Sequence, residues 1–99
     1  MDVFNGMVEE EYTRRWNLVR VRAFIELGYI QTMHEKHEQA LESFRTAMAH
    51  FERLPKEAQK TNVRLEIVIG TVYSYRLQGN VVTALKEAKS FEEAREQPR

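Results

Sequence analysis

His34-Glu35-Lys36-His37-Glu38 sets two imidazoles and two carboxylates within five residues. A helical zinc site of the protease type needs its histidines four apart, with a Glu beside the first, so that both rings share one face. Here the histidines are three apart, at a predicted helix junction, with no third ligand in evidence, so this pentapeptide reads as a solvated turn and no metal is expected. His50 reads as a helix-surface or boundary residue. The chain has no cysteine, which excludes disulfides, thiolate metal sites and cysteine nucleophiles. Ser43, Ser74 and Ser90 fall inside predicted helices without the glycine-rich elbow that exposes a nucleophile. There is no phosphate-binding glycine loop, and the carboxylates lie on polar helix faces. No catalytic set can be assembled, so neither an enzyme nor a cofactor is expected.

Arg14, Arg15, Arg20 and Arg22 concentrate positive charge early in the chain, but Glu9, Glu10 and Glu11 dilute it and the arginines spread around a helix. Fifteen basic and fifteen acidic residues cancel overall. Residues 1–50 carry six basic and eight acidic side chains and residues 51–99 nine and seven, so neither half is a tail of one sign. Nucleic acid and anionic membranes are not the expected partners. The N-terminus lacks the basic stretch and long apolar run of a signal peptide. No stretch approaches the ~18 uninterrupted apolar residues of a membrane span. A cytoplasmic location is the expectation.

With 99 residues the chain reads as a single domain. Asn5-Gly6, Leu54-Pro55, Gly79-Asn80 and Pro98 mark breaks, and four helices are predicted between them. The first runs from about Met7 to Met33 with two apolar lines. One contains Tyr12, Trp16, Val19, Ala23, Leu27 and Ile30, and the other Leu18, Val21, Ile25 and Tyr29; two lines predict contact on more than one side. The second, about Glu35 to Arg53, has one clean face of Ala40, Leu41, Phe44, Ala47, Met48 and Phe51. The third, about Glu57 to Gln78, is dense in β-branched and aromatic side chains that suit a strand. Its length and the lack of a hairpin partner nevertheless predict a helix. The fourth, about Val81 to Glu96, is expected to bury Ala84, Leu85, Ala88, Phe91 and Ala94. More than two thirds helix and no sheet is the expected content.

The turn and second helix recur. The segment from Glu35 to Ala47 is echoed from Gly79 to Phe91, with the Ala-Leu pairs at 40 and 84 standing 44 residues apart. Such a period in a helical sequence predicts stacked helix pairs. The residues resemble the tetratricopeptide repeat over roughly residues 20–95. Phe24, Leu27-Gly28, Ala40, Phe44 and Ala47 stand at that family's mutual spacings. In the second copy Tyr75, Gly79, Ala84, Ala88 and Phe91 fit, while Val68, Thr71 and Val72 replace the aromatic and Leu-Gly; Ile69-Gly70 with Tyr73 offers a competing alignment. The 44-residue offset exceeds the family's usual period of about 34. Gly28, Ala40, Ala47, Ala84 and Ala88 are expected to let helix axes approach, with Phe44 and Phe91 filling the space between pairs.

The expected fold is therefore all-α, two antiparallel helix pairs (about 7–54 and about 57–97) stacked as in a fragment of a tetratricopeptide-type α-solenoid. The resemblance implies a protein–protein interaction module. Its concave groove, lined by the first helix of each pair, would hold a peptide or helix of a partner protein. Arg22, Ile25, Tyr29, Ile69, Tyr73 and Arg76 fall on that groove. Ile25, Tyr29 and Ile69 occupy the places of the Lys and Asn set with which family members clamp a chaperone's carboxylate tail, which disfavours that ligand. The competing reading is a self-associating bundle, or a piece of a longer solenoid, because two repeats stack poorly alone. The wide apolar surface of the first helix favours a homodimer with Trp16, Leu18 and Val21 in its seam.

Overall fold

The computed structural model describes the backbone of residues 2–96 and the side chains of residues 9–94. Among the described residues four α-helices follow one another: α1 (Asp2–Met33), α2 (His37–Glu52), α3 (Thr61–Leu77) and α4 (Val81–Glu96), with a short 3-10 turn over Lys56–Ala58 before α3. The structure is 87% helix, and no strand occurs among the described residues. The β-branched third segment is a helix because its Val and Ile are spread around a 17-residue cylinder and packed on two sides. Asn5-Gly6 does not turn the chain; it lies within α1. Pro98 lies outside the described residues.

The α1–α2 and α3–α4 turns are built alike. Glu35 (φ 61°) and Gly79 (φ 83°) take the left-handed conformation that reverses a chain after a helix. After α1 the Lys36 amide donates to Gln31 O and the Glu35 amide to Thr32 O. After α3 the Asn80 amide donates to Tyr75 O and the Gly79 amide to Arg76 O. These are the paired bonds of a Schellman closure, repeated at positions 44 residues apart. The second copy is better equipped: glycine holds the left-handed position, and the Asn80 side chain caps α4 by accepting from the Thr83 amide at 3.4 Å. Lys36 provides no such cap for α2.

Packing runs in chain order. α1 lies on α2, α2 on α3 and α3 on α4, with a further contact between α1 and α3, whereas among the described residues α4 touches only α3. The result is a slab of 56 × 36 × 15 Å with a radius of gyration of 15.6 Å, against about 13 Å for a closely rounded domain of this length. The core joins Val21 and Ile25 of α1, Ala40, Phe44, Ala47 and Phe51 of α2, Leu54 of the link, and Ile67 of α3. Phe44 is its pivot, since its ring lies against the backbones of Gly28 and Gly70 together.

Two expectations about helix faces are corrected. On α1 the inward line is Val21, Ile25, Gly28 and Thr32, while the longer line from Tyr12 to Ile30 is in water: Tyr12, Trp16, Val19, Leu27 and Ile30 are all exposed. Phe44 decides this, because only the line containing Gly28 lets its ring approach. On α4 Ala84 is buried and Ala88 and Phe91 are half-buried, but Leu85 and Ala94 are exposed. The physical reason is that α4 has a neighbour on one side only.

Candidate interaction surface

The groove residues expected from sequence divide into two groups. Ile25 is fully buried and belongs to the core. Arg22 and Tyr29 are turned into the junction with α3. The Arg22 guanidinium donates to the Glu66 carboxylate, Nη1 to Oε2 at 2.7 Å and Nη2 to Oε1 at 3.3 Å. The Tyr29 hydroxyl donates to the Glu66 carbonyl at 3.0 Å, and its ring meets Phe44 edge-on at 5.4 Å. The hydrogen bond from Arg22 holds the Glu66 carboxyl below its ordinary pKa and raises that of Arg22 in return. Burial, then the charges of Glu66 and Glu26, push the Tyr29 phenol up. These three α1 residues fasten α1 to its neighbours; they do not line an open groove.

Ile69, Tyr73 and Arg76 are exposed. Together with Val72 of α3 and Ala88 and Phe91 of α4 they line an open crevice of about 410 Å³. Its floor is aliphatic and aromatic, and Arg76 and Glu92 bring one charge of each sign to its lining. The crevice exists because Ala88 projects only a methyl group between α3 and α4. A helix or an extended chain with apolar side chains would fill it, and its backbone or flanking polar groups would find Arg76 and Glu92. On the other flank of α3 a second depression, about 450 Å³, is lined by Met48, Arg64, Glu87, Ser90 and Phe91 among others and is more polar.

The homodimer seam expected at Trp16, Leu18 and Val21 does not form one surface. Residues two apart on a helix lie on nearly opposite sides, so Trp16 and Leu18, both exposed, face different directions, and Val21 is buried against the core. Trp16 instead shares its side of α1 with Tyr12, which it meets edge-on at 6.0 Å, and with Val19 and Ala23. Val19, Ala23 and Ile30 belong to one of the two apolar lines for which contact is expected from sequence, and they are exposed; periodicity alone does not show which line a neighbour covers.

The charged and titratable groups are used locally. Arg14 and Arg15 pair with Glu11, and Arg20 stacks on Trp16 at 6.0 Å, so the α1 arginines form no single basic face. His34, Glu35 and Lys36 make the turn between α1 and α2, with His37 opening α2. Among the described residues no three His, Cys, Asp or Glu side chains are grouped to hold a metal ion. His50 stacks on Phe24 with ring centres 5.8 Å apart, and burial together with Arg53 and Arg20 lowers its pKa. No helix among the described residues is long and apolar enough to cross a membrane. No protein-family model, curated protein or solved structure matches the chain.

Proposed function

We propose that the chain is a non-catalytic protein–protein interaction module of tetratricopeptide-like design, whose α3–α4 crevice holds a helix or peptide of a partner protein. The observation that carries this reading is the crevice itself: Leu65, Ile69, Tyr73 and Phe91 line an apolar channel that none of the described residues fills. Apolar surface of this kind, flanked by Arg76 and Glu92, suits an amphipathic helix that buries its own apolar stripe. The repeated left-handed turns and the close approach of Phe44 to Gly28 and Gly70 support the stacked-pair design. Cancelling net charge and locally paired arginines support a protein partner over nucleic acid or an anionic membrane. A chain without cysteine suits the cytoplasm.

The test is capture from an extract of the source cells, comparing wild type with an Ile69→Asp, Tyr73→Asp variant and mapping the bound segment by cross-linking. Both positions are about half exposed, so the variant keeps its fold. Loss of one cross-linked segment, with helicity unchanged, is expected. Equal capture by both proteins would overturn the reading.

A further inference from the structure

The two helix pairs present the same surfaces in opposite states. In α3, Ile67, Gly70 and Ser74 are buried and Val63 packs on the core; together they form the side of α3 that docks on α1 and α2. The positions 44 residues earlier are Val19, Ala23, Glu26 and Ile30. They form one line along α1 and are all exposed, Val19 to 54% and Ile30 to 53%. α1 therefore carries the counterpart of α3's docking side, uncovered by any of the described residues.

The receiving side is related in the same way. Tyr29 and Phe44 meet α3, and Gly28 lies against the Phe44 ring. Their counterparts 44 residues on are Val72, Tyr73 and Ala88, which line the α3–α4 crevice. In the first pair this seat is filled by α3. In the second it is open.

We propose that the crevice receives α1 of a second copy of this chain, so that copies join head to tail by repeating the packing of α3 on α1 and α2. This rests on the crevice being a helix-docking site and names the helix. Side-chain size matches: inside the chain the large Phe44 opposes Gly70, and across the junction the small Ala88 opposes the larger Glu26. Charge matches as well. Arg22 and Glu66 occupy equivalent positions 44 residues apart, carry opposite signs, and bond at 2.7 Å where the two pairs meet. At the junction between copies Glu66 of one faces Arg22 of the next, so at this position opposite charges alternate along the stack. Because the two joined surfaces differ, each association leaves one free seat and one free α1.

Sedimentation velocity over a dilution series of the full chain tests this. Wild type is expected to gain mass with concentration without stopping at a dimer. A crevice variant (Ile69→Asp, Tyr73→Asp) and a stripe variant (Val19→Asp, Ile30→Asp) change exposed positions, and circular dichroism checks that both remain folded. Each alone is expected to lose self-association by about tenfold or more, since two unpaired carboxylates are driven into an apolar seat, whereas Glu26 comes to it paired with Arg22 at 3.5 Å. Mixed in equal amounts they should form a one-to-one dimer and nothing larger, each supplying the face the other lacks. Three results would overturn the proposal: a mixture that stays monomeric while wild type associates, a crevice variant that associates as wild type does, or a monomeric wild type at every concentration. In that last case a crevice variant that still loses its captured segment from extract leaves the docking site standing and removes only this occupant.

Discussion

Phe44 presses its ring so closely on Gly70 that a β-carbon there would overlap the Cε1 and Cζ atoms. The same ring edge leaves no room at Gly28, where a β-carbon would stand 2.6 Å from Cε1. One aromatic side chain thus sets the spacing of α1, α2 and α3 at once.

Gly70→Ala is therefore expected to destabilise the fold although alanine favours helix. Overpacking costs about 1–3 kcal/mol, and the helix-propensity gain offsets roughly 0.5–1 kcal/mol of it. The net loss is read as a lower denaturation midpoint at unchanged slope. Adding Phe44→Leu should make the double variant less destabilised than the sum of the singles, because the second change relieves the clash. Strict additivity would show that the two residues are not in contact.

His50 gives the fold a dependence on pH. Its pKa lies below the ordinary 6.5 because burial and the neighbouring Arg53 and Arg20 disfavour the imidazolium. The unfolded chain then binds the proton more tightly than the folded one. This contribution to stability is complete above the unfolded value and is lost as pH falls below about 6.5 toward the folded pKa. Denaturation midpoints should drop over that window in wild type and drop less in His50→Phe, which keeps the stack on Phe24. A wild-type midpoint that is flat from pH 7 to 5 would contradict the assignment.

The Arg22–Glu66 pair, though bidentate and short, is half exposed on the arginine side and 37% exposed on the glutamate side. Solvent screening limits such a pair to about 0–1 kcal/mol. Glu66→Gln is expected to lower stability by less than that, and most of the loss should vanish at high salt. Glu66 is held below its ordinary carboxyl pKa of 4.5, so the pair's contribution persists above that value and fades as pH falls below it. A salt-independent loss well above 1 kcal/mol would mean that Glu66 also holds the α1–α3 junction by packing.

The four helices, the Gly79-Asn80 turn and the Phe44 face of α2 were legible in the sequence because each is a local pattern, a glycine after a helix or small residues around an aromatic. The α1–α2 turn was legible only as the echo of that segment, since Glu35 carries no left-handed signal. The direction of α1 was not legible. Its two apolar lines are comparable in hydrophobicity, and periodicity identifies faces without saying which neighbour covers them. Gly28 and Thr32, following Val21 and Ile25 at helical spacing, held the answer, since only a line with small residues admits the Phe44 ring. The groove was misread for a related reason. Arg22 and Tyr29 look like ligand-binding groups until Glu66, at the equivalent position in the next pair, is seen to engage both.

Glu35 is the local flaw that the repeat itself points to. It holds φ 61° where its counterpart Gly79 holds φ 83°, and both make the same closing hydrogen bonds. A side-chain-bearing residue pays about 1–2 kcal/mol in the left-handed region, whereas glycine occupies it freely and loses somewhat more entropy on ordering. Glu35→Gly is therefore expected to raise stability by about 1 kcal/mol. Lys36→Asn, which gives α2 the cap that Asn80 gives α4, should add about 0.5–1 kcal/mol. The reverse change, Gly79→Glu, should lower stability although nothing lies within 4 Å of a β-carbon there, because the strain is in the backbone alone. Thermal and denaturant unfolding of the three variants decides the matter. If Glu35→Gly fails to stabilise while Gly79→Glu destabilises, then the Glu35 side chain makes compensating contacts and the two turns are not energetically equivalent.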